Sequence, residues 1–77
     1  MSKHDKLLEK ILGGQHDANI RFDELCALLQ KHGYRMRQGR GGHVTFIKDA
    51  KFLNLQNRNG KVAGYQVRQA REQLRTE

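Results

Sequence analysis

A short glycine-rich segment, Gly39-Arg40-Gly41-Gly42-His43, carries the residues of this sequence that are best suited to chemistry. Glycines let backbone N–H groups come close to a ligand, and successive N–H groups can form a binding site for an anion such as phosphate. Arg40 adds a planar cation that matches phosphate geometry. His43 adds an imidazole, the side chain that most readily takes up and releases a proton near neutral pH. The segment predicts a phosphate site with a proton-transfer group, and a plain glycine turn beside an exposed histidine is the simpler alternative.

The other histidines and the single cysteine are weaker candidates for chemistry. His4, His16 and His32 lack the spacing of metal ligands relative to one another. Cys26 has no second cysteine with which to form a disulfide or a zinc site, and we interpret it as a small core residue. We therefore expect neither a metal site nor a bound cofactor.

The segments before the glycine-rich turn have the apolar spacing of helices. The second predicted helix runs from Asp23, as the N-cap residue, to His32, and Gly33 follows it in the position that favours a positive φ. The first predicted helix ends at Gly13-Gly14. It covers residues 2–12, where four apolar residues share one side: Leu7, Leu8, Ile11 and Leu12.

After Gly33 the pattern changes to the alternation of strands, which we predict over residues 34–38, 43–48 and 52–56, before a final helix over residues 64–75. The order predicts an α+β domain in two layers, with three antiparallel strands covered on one face by helices. Ten apolar residues are expected to form the core: Leu25, Leu28, Leu29, Val44, Phe46, Leu53, Leu55, Val67, Ala70 and Leu74. By alternation, the opposite face of the sheet carries Arg35, Arg37, His43 and Thr45.

The final helix offers two further candidates. Arg68, Arg71 and Arg75 form a stripe that is either simply solvated or in contact with phosphate or a partner. Tyr65, near the start of this helix, either packs into the core or stacks on a base.

Positive charge is concentrated in the second half of this chain of 77 residues. Residues 1–32 contain five basic and five acidic residues, whereas residues 33–77 contain ten basic and three acidic ones, so the later part carries the whole net charge of +7. Such a field attracts a polyanion, either nucleic acid or an acidic protein. The length allows one domain. No apolar run is long enough for a membrane span or a signal peptide, so we expect a cytoplasmic protein without membrane contact.

Three stretches of the chain combine into a pattern: Asn19-Ile20-Arg21-Phe22-Asp23-Glu24-Leu25, Gly33-Tyr34, and Arg40-Gly41-Gly42-His43-Val44-Thr45-Phe46. Together they resemble the HicA toxins of bacterial toxin–antitoxin systems. Leu53-Asn54-Leu55-Gln56 and Gly64-Tyr65-Gln66-Val67-Arg68 are similar to a longer branch of that family. The resemblance covers about residues 18–75 and implies a double-stranded-RNA-binding-like α-β-β-β-α fold. Residues 1–14 then form an extra short N-terminal helical extension of the single domain, which either caps it or mediates association.

The resemblance also implies a function. Members of the family are small ribonucleases that cleave mRNA and are neutralised by a HicB-type antitoxin. Their catalytic histidine lies in a Gly-Ser-His or Gly-Gly-His motif, which matches Gly41-Gly42-His43, so the resemblance assigns catalysis to His43. Many members have a second histidine where this chain has Val44, and strand alternation makes that loss tolerable. The residues expected to bind RNA are Arg35, Arg37, Arg40, Gly41, Gly42 and Lys48.

The chemistry expected from these residues is metal-independent cleavage of mRNA. RNA carries its own nucleophile, the 2′-OH, so His43 could act as general base or acid while the cations stabilise the charge of the transition state. The sequence indicates no second proton-transfer group. A HicB-like antitoxin with acidic residues opposite Arg35, Arg37 or Arg40 is the expected protein partner. The alternatives are a non-catalytic RNA-binding module of the same fold and a degenerate toxin kept for antitoxin binding.

Overall fold

The computed structural model describes residues 3–75, which form a small α+β domain. These residues contain three α-helices, one short 3-10 helix and one four-stranded antiparallel sheet. In chain order the elements are α1 (Lys3–Gly13), the 3-10 helix (Asp17–Asn19), α2 (Phe22–Lys31), β1 (Arg35–Gln38), β2 (His43–Lys48), β3 (Lys51–Arg58), β4 (Lys61–Val62) and α3 (Gly64–Arg75). Residue 2, where the first helix was predicted to begin, lies outside the described residues. No helix within residues 3–75 combines the length and the apolarity that crossing a membrane requires.

The sheet has a fourth strand that the sequence pattern did not predict. The strands lie in chain order, each antiparallel to its neighbour. Asn59-Gly60 does more than end β3, because φ values of 53° and 85° make it a tight hairpin turn, the conformation that an Asn-Gly pair favours. The returning strand pairs Lys61 with Arg58 and Val62 with Asn57, and Val62 is buried. The prediction of three strands was therefore wrong by one.

One face of the sheet carries the hydrophobic core. Val44 and Phe46 of β2 pair with Leu55 and Leu53 of β3, respectively, and all four side chains are buried. Helices α2 and α3 contact the sheet, and their buried residues belong to the same cluster. All ten residues predicted for the core are buried: Leu25, Leu28, Leu29, Val44, Phe46, Leu53, Leu55, Val67, Ala70 and Leu74.

Helix α1 is part of this core. Leu7 and Ile11 are buried, Leu8 packs against the buried cluster, and the helix contacts both α2 and α3. Leu12, at the edge of the apolar side of the helix, is 39% exposed. Of the two roles predicted for residues 1–14, this packing supports the capping of the domain.

The start of α2 differs from the prediction. Arg21 is the N-cap residue, in extended backbone and without a side-chain cap hydrogen bond, so Asp23 is not the N-cap. Asp23 lies in the first turn, where its Oδ1 accepts a hydrogen bond from the Glu24 N–H at 2.9 Å. Arg21 forms a β-bridge with Lys61. The helix therefore begins directly after the residue that pairs with β4 rather than at the best capping side chain.

The end of α2 sets the direction in which the chain enters β1. Gly33 has a φ of +94°, as the sequence predicted. The Tyr34 N–H donates to the Leu29 carbonyl at 3.0 Å, and the Gly33 N–H donates to the Gln30 carbonyl at 3.1 Å. This pair of bonds is the Schellman motif, which satisfies the last helical carbonyls and turns the chain toward the sheet.

Arg71 of α3 is tied into the interior. Its Nη1 and Nη2 donate to Oδ1 and Oδ2 of Asp17 at 2.9 and 3.1 Å, and Nη1 also reaches the Ile11 carbonyl at 3.2 Å. The Arg71 and Asp17 side chains are 13% and 19% exposed. This bidentate pair joins α1, the 3-10 helix and α3, so Arg71 does not belong to an exposed arginine stripe. Arg68 and Arg75 remain exposed.

Two glutamines of α3 cover the outer edge of β3 beyond the end of β4. Gln66 is 5% exposed, and its Oε1 accepts a hydrogen bond from the Gln56 N–H at 3.0 Å. The Nε2 of Gln73 donates to the Phe52 carbonyl at 2.8 Å. Side chains thus supply partners that a longer β4 would otherwise supply, which explains why a polar residue is buried at position 66.

Candidate functional site

His43 is the first residue of β2 and is exposed directly after the glycine-rich turn. Two hydrogen bonds close the turn: the His43 N–H donates to the Arg40 carbonyl at 3.1 Å, and the Gly39 N–H donates to the His43 carbonyl at 2.9 Å. Gly41 and Gly42 have φ values of 61° and 79°. Two successive residues in this left-handed region favour glycine strongly, because it has no Cβ. The turn therefore fixes the point from which the imidazole projects.

The same glycines set the surroundings of the imidazole. The Gly42 carbonyl accepts a hydrogen bond from the Asn57 N–H at 3.1 Å, which anchors the turn to β3. A Cβ placed on Gly41 would lie 3.9 Å from Cδ2 of His43, so the imidazole lies beside bare glycine backbone. A phosphate approaching from the turn would meet no side chain at Gly41.

The strand register defines a second set of neighbours. We call the sheet face opposite the core the open face; in the first three strands it comprises Arg35, Arg37, His43, Thr45, Ile47, Phe52, Asn54, Gln56 and Arg58. Gln56 is the direct cross-strand partner of His43, at a Cβ separation of about 5 Å. Arg37 pairs with Thr45, so Arg37 is a diagonal neighbour of His43 at about 7–8 Å. The Thr45 Oγ1 donates to the Asn54 Oδ1 at 2.8 Å.

The charge on this side of the domain has one sign. The four strands contain no Asp or Glu. Among residues 3–75, every acidic residue lies in a helix except Asp49, which lies in the turn between β2 and β3. The six Lys and Arg residues of the strands are Arg35, Arg37, Lys48, Lys51, Arg58 and Lys61. The helices contain acidic and basic residues in nearly equal numbers, whereas the strands contain basic residues alone, and this excess of cations attracts an anion to the sheet.

Most of the residues predicted to bind RNA lie near His43. Arg35 and Arg37 lie on the open face, and Arg40, Gly41 and Gly42 form the turn next to it. Lys48 is different, because its Nζ lies over the Tyr34 ring, 5.7 Å from the centroid. It is also at the far end of β2, about 16 Å from His43 along the strand. The structure does not bring Lys48 together with His43.

Five residues on the open face were not assigned to the site from the sequence, and four of them lie on β3. Gln56 and Arg58 flank His43 across the strand pair, and Phe52 lies farther along β3. The pattern that could have identified them is the alternation of β3, where Leu53 and Leu55 face the core and their neighbours must face outward.

Tyr65 and Cys26 are the remaining candidates from the sequence. Tyr65 is 49% exposed, and its hydroxyl accepts a hydrogen bond from Nε2 of Gln66 at 3.5 Å. Burial, with a smaller contribution from Asp23, raises the pKa of the Cys26 thiol from 9.0 to about 11. This thiol stays protonated at neutral pH, which makes it a poor nucleophile. Across the described residues, no three His, Cys, Asp or Glu side chains come together as a metal-binding group.

Comparison of the chain with protein-family models, with curated proteins and with solved structures gives no match. The resemblance to the HicA toxins therefore remains a prediction from the motifs of residues 18–75.

Proposed function

We propose that this protein is a metal-independent endoribonuclease of the HicA type, the toxin of a toxin–antitoxin pair, and that His43 is its catalytic residue. The observation that carries the proposal is the placement of His43: an exposed imidazole beside bare glycine backbone, on a sheet that has no acidic residue in its strands. The succession α2-β1-β2-β3-α3 supports the double-stranded-RNA-binding-like arrangement that the motifs imply, with α1 and β4 as additions. Because the proposed substrate is mRNA, we expect the protein to act in the cytoplasm.

The proposed reaction uses the nucleophile that RNA already contains. His43 accepts the proton of a 2′-OH, the O2′–P bond forms, and the bond from phosphorus to the 5′ oxygen of the next nucleotide breaks. The leaving oxygen takes a proton from water or from a second group. Arg37, Arg40 and Arg58 are the cations placed around His43 that can stabilise the negative charge developing on the phosphate oxygens.

The test is RNA cleavage by purified protein in a chelating buffer, with products separated by size. Replacing His43 with alanine should lower the rate of cleavage by about 10²–10⁴-fold, the usual effect of losing one general acid or base. RNA affinity should change little, because the arginines that contact phosphate remain. The fold should also persist, since His43 is exposed.

His16→Ala is the matched control. His16 is exposed at the start of the 3-10 helix, and its side chain makes no capping hydrogen bond. This variant should cleave RNA at the rate of the parent. Equal cleavage by the His43→Ala protein and the parent would remove the catalytic assignment, whatever the His16 variant does.

A second candidate function is an RNA-binding module without catalysis. It is favoured by the register around His43, where the neighbours Gln56, Thr45, Arg37 and Arg58 include no side chain that exchanges a proton readily at neutral pH. Salt-dependent RNA binding by a parent protein that never cleaves would favour this function.

The proposed protein partner is a HicB-like antitoxin that covers the open face with acidic residues. The strands offer such a partner Arg35 and Arg37, and the adjacent turn offers Arg40. A protein that binds the antitoxin but neither cleaves nor binds RNA would instead be a degenerate toxin kept for complex formation.

A further inference from the structure

Phe52 is the most exposed large hydrophobic side chain among the described residues. It is 65% exposed, compared with 49% for Tyr65, 45% for Met36 and 39% for Leu12. Phe52 lies on the open face, because its neighbour Leu53 is buried in the core. A single exposed apolar residue is common on protein surfaces. What sets Phe52 apart is the composition of the face around it.

The ring lies in a row with an apolar and a cationic side chain. Phe52 pairs with Ile47, and Ile47 pairs with Arg35 on the next strand. Arg35 is therefore two strand spacings from Phe52, about 10 Å. A flat apolar ring with a guanidinium group at this range matches a nucleotide, which has an apolar base face and an anionic phosphate.

We propose that the open face binds single-stranded RNA and that Phe52 is a platform on which one base of that strand stacks. The inference rests on the proposed function of this face as an RNA-binding surface. Single-stranded RNA is the form that fits, because its bases are free to lie on an aromatic ring. In a duplex, the bases stack on one another and the proteins that bind it contact phosphates and 2′-hydroxyls.

Phe52 and His43 contact different nucleotides of the same strand. Phe52 pairs with Ile47, four residues along β2 from His43, which is about 13 Å along the strand. Phe52 also lies one strand spacing across the sheet from β2, so the direct distance between Phe52 and His43 is about 14 Å. A bound strand would thus run diagonally over the open face, with Thr45 and Asn54 beneath it.

Tryptophan fluorescence gives a direct test, because the chain contains no tryptophan. Phe52→Trp is combined with His43→Ala to prevent cleavage, and the protein is titrated with a single strand of about ten nucleotides, within the range of single-stranded sites. Stacking should quench the tryptophan emission. The matched control is Leu12→Trp in the same background, because Leu12 is exposed on α1 and away from the sheet. Its emission should stay constant over the titration.

Affinity measured by fluorescence anisotropy of labelled RNA gives the second readout. Phe52→Leu keeps an apolar side chain but loses the aromatic ring, and should weaken binding of the single strand by about 5- to 100-fold. Phe52→Tyr should restore it. Met36→Ala changes another exposed apolar residue of the sheet, outside the open face, and should leave the affinity unchanged.

The inference and the proposed function fail in different ways. Absence of quenching, a less than twofold effect of Phe52→Leu, or equal quenching by duplex RNA would overturn the stacking platform, even where the parent cleaves RNA and His43→Ala does not. Quenching with the expected loss of affinity would support the platform, even where the parent does not cleave. A parent protein that binds no RNA would overturn both.

Discussion

Replacing Arg71 with alanine should destabilise the domain far more than replacing Arg75, although both arginines lie on the same predicted stripe of α3. The Arg71 side chain is 13% exposed and gives two hydrogen bonds to Asp17 and one to the Ile11 carbonyl. Arg75 is 57% exposed, and its ion pair with Glu72, at 3.4 Å, is exposed as well. The two substitutions remove the same side chain from different environments.

The magnitude follows from these environments. Removing one partner of a buried ion pair costs about 3–5 kcal/mol of the free energy of unfolding, because the other charge is left without compensation. The Asp17 side chain is 19% exposed, so water still solvates it in part, and we expect Arg71→Ala to cost about 2–4 kcal/mol. The total free energy of unfolding of a chain of this size is roughly 4–11 kcal/mol. The melting temperature should therefore fall by about 10–25 °C. Arg75→Ala should cost less than about 0.5 kcal/mol.

Thermal and urea unfolding, followed by circular dichroism, measure both variants. Asp17→Ala and the double variant complete a mutant cycle, and their effects should be clearly less than additive, by about 1 kcal/mol or more, because the two residues act as one unit. A melting temperature of Arg71→Ala within about 2 °C of that of Arg75→Ala would contradict a stabilising role for the Arg71–Asp17 pair. Full additivity of the Asp17 and Arg71 substitutions would contradict it as well.

Two further outcomes concern Cys26 and the antitoxin. Because the pKa of Cys26 is raised from 9.0 to about 11, the folded protein keeps a proton that the unfolded chain loses above pH 9, so stability should fall as pH rises, by about 1 kcal/mol at pH 10. Urea unfolding at pH 8 and pH 10 should show a smaller loss of stability for Cys26→Ala than for the parent. An equal loss in the two proteins would contradict the raised pKa of Cys26. Association with a HicB-like antitoxin, followed by stopped flow, should slow about tenfold or more as ionic strength rises from about 0.01 to about 0.15 M. Changing Arg35 and Arg37 together to glutamine should flatten that dependence, and a salt-insensitive parent would exclude an electrostatic interface.

Local rules are sufficient for much of the fold. Gly33 could be assigned to the end of α2 because a positive φ at that position favours glycine, and the same reasoning located the turn at Gly41 and Gly42. Alternation placed Val44 and Phe46 in the core because neighbouring side chains of a strand point to opposite faces. These features depend on a few adjacent residues, so they can be predicted from the sequence.

The candidate site was predictable to the same extent. The exposed positions of Arg35, Arg37 and His43 follow from strand alternation alone. The neighbours of His43 across the sheet do not, because Gln56 and Arg58 are placed by the register between β2 and β3. That register depends on how the core faces of the two strands match, which a single strand does not specify.

The sequence by itself therefore determined the three α-helices apart from the start of α2, three of the four strands, the ten core residues and the exposure of His43. The tertiary structure decided which polar side chains hold the fold and which remain available to a ligand. Arg71 and Lys48 have the composition of surface cations, yet one is paired with Asp17 and the other lies over the Tyr34 ring. Arg35, Arg37 and Arg58 stay exposed on the open face. The physical reason is that a long cationic side chain has no local preference strong enough to fix its partner, so the partner is whatever residue the packed chain brings within reach.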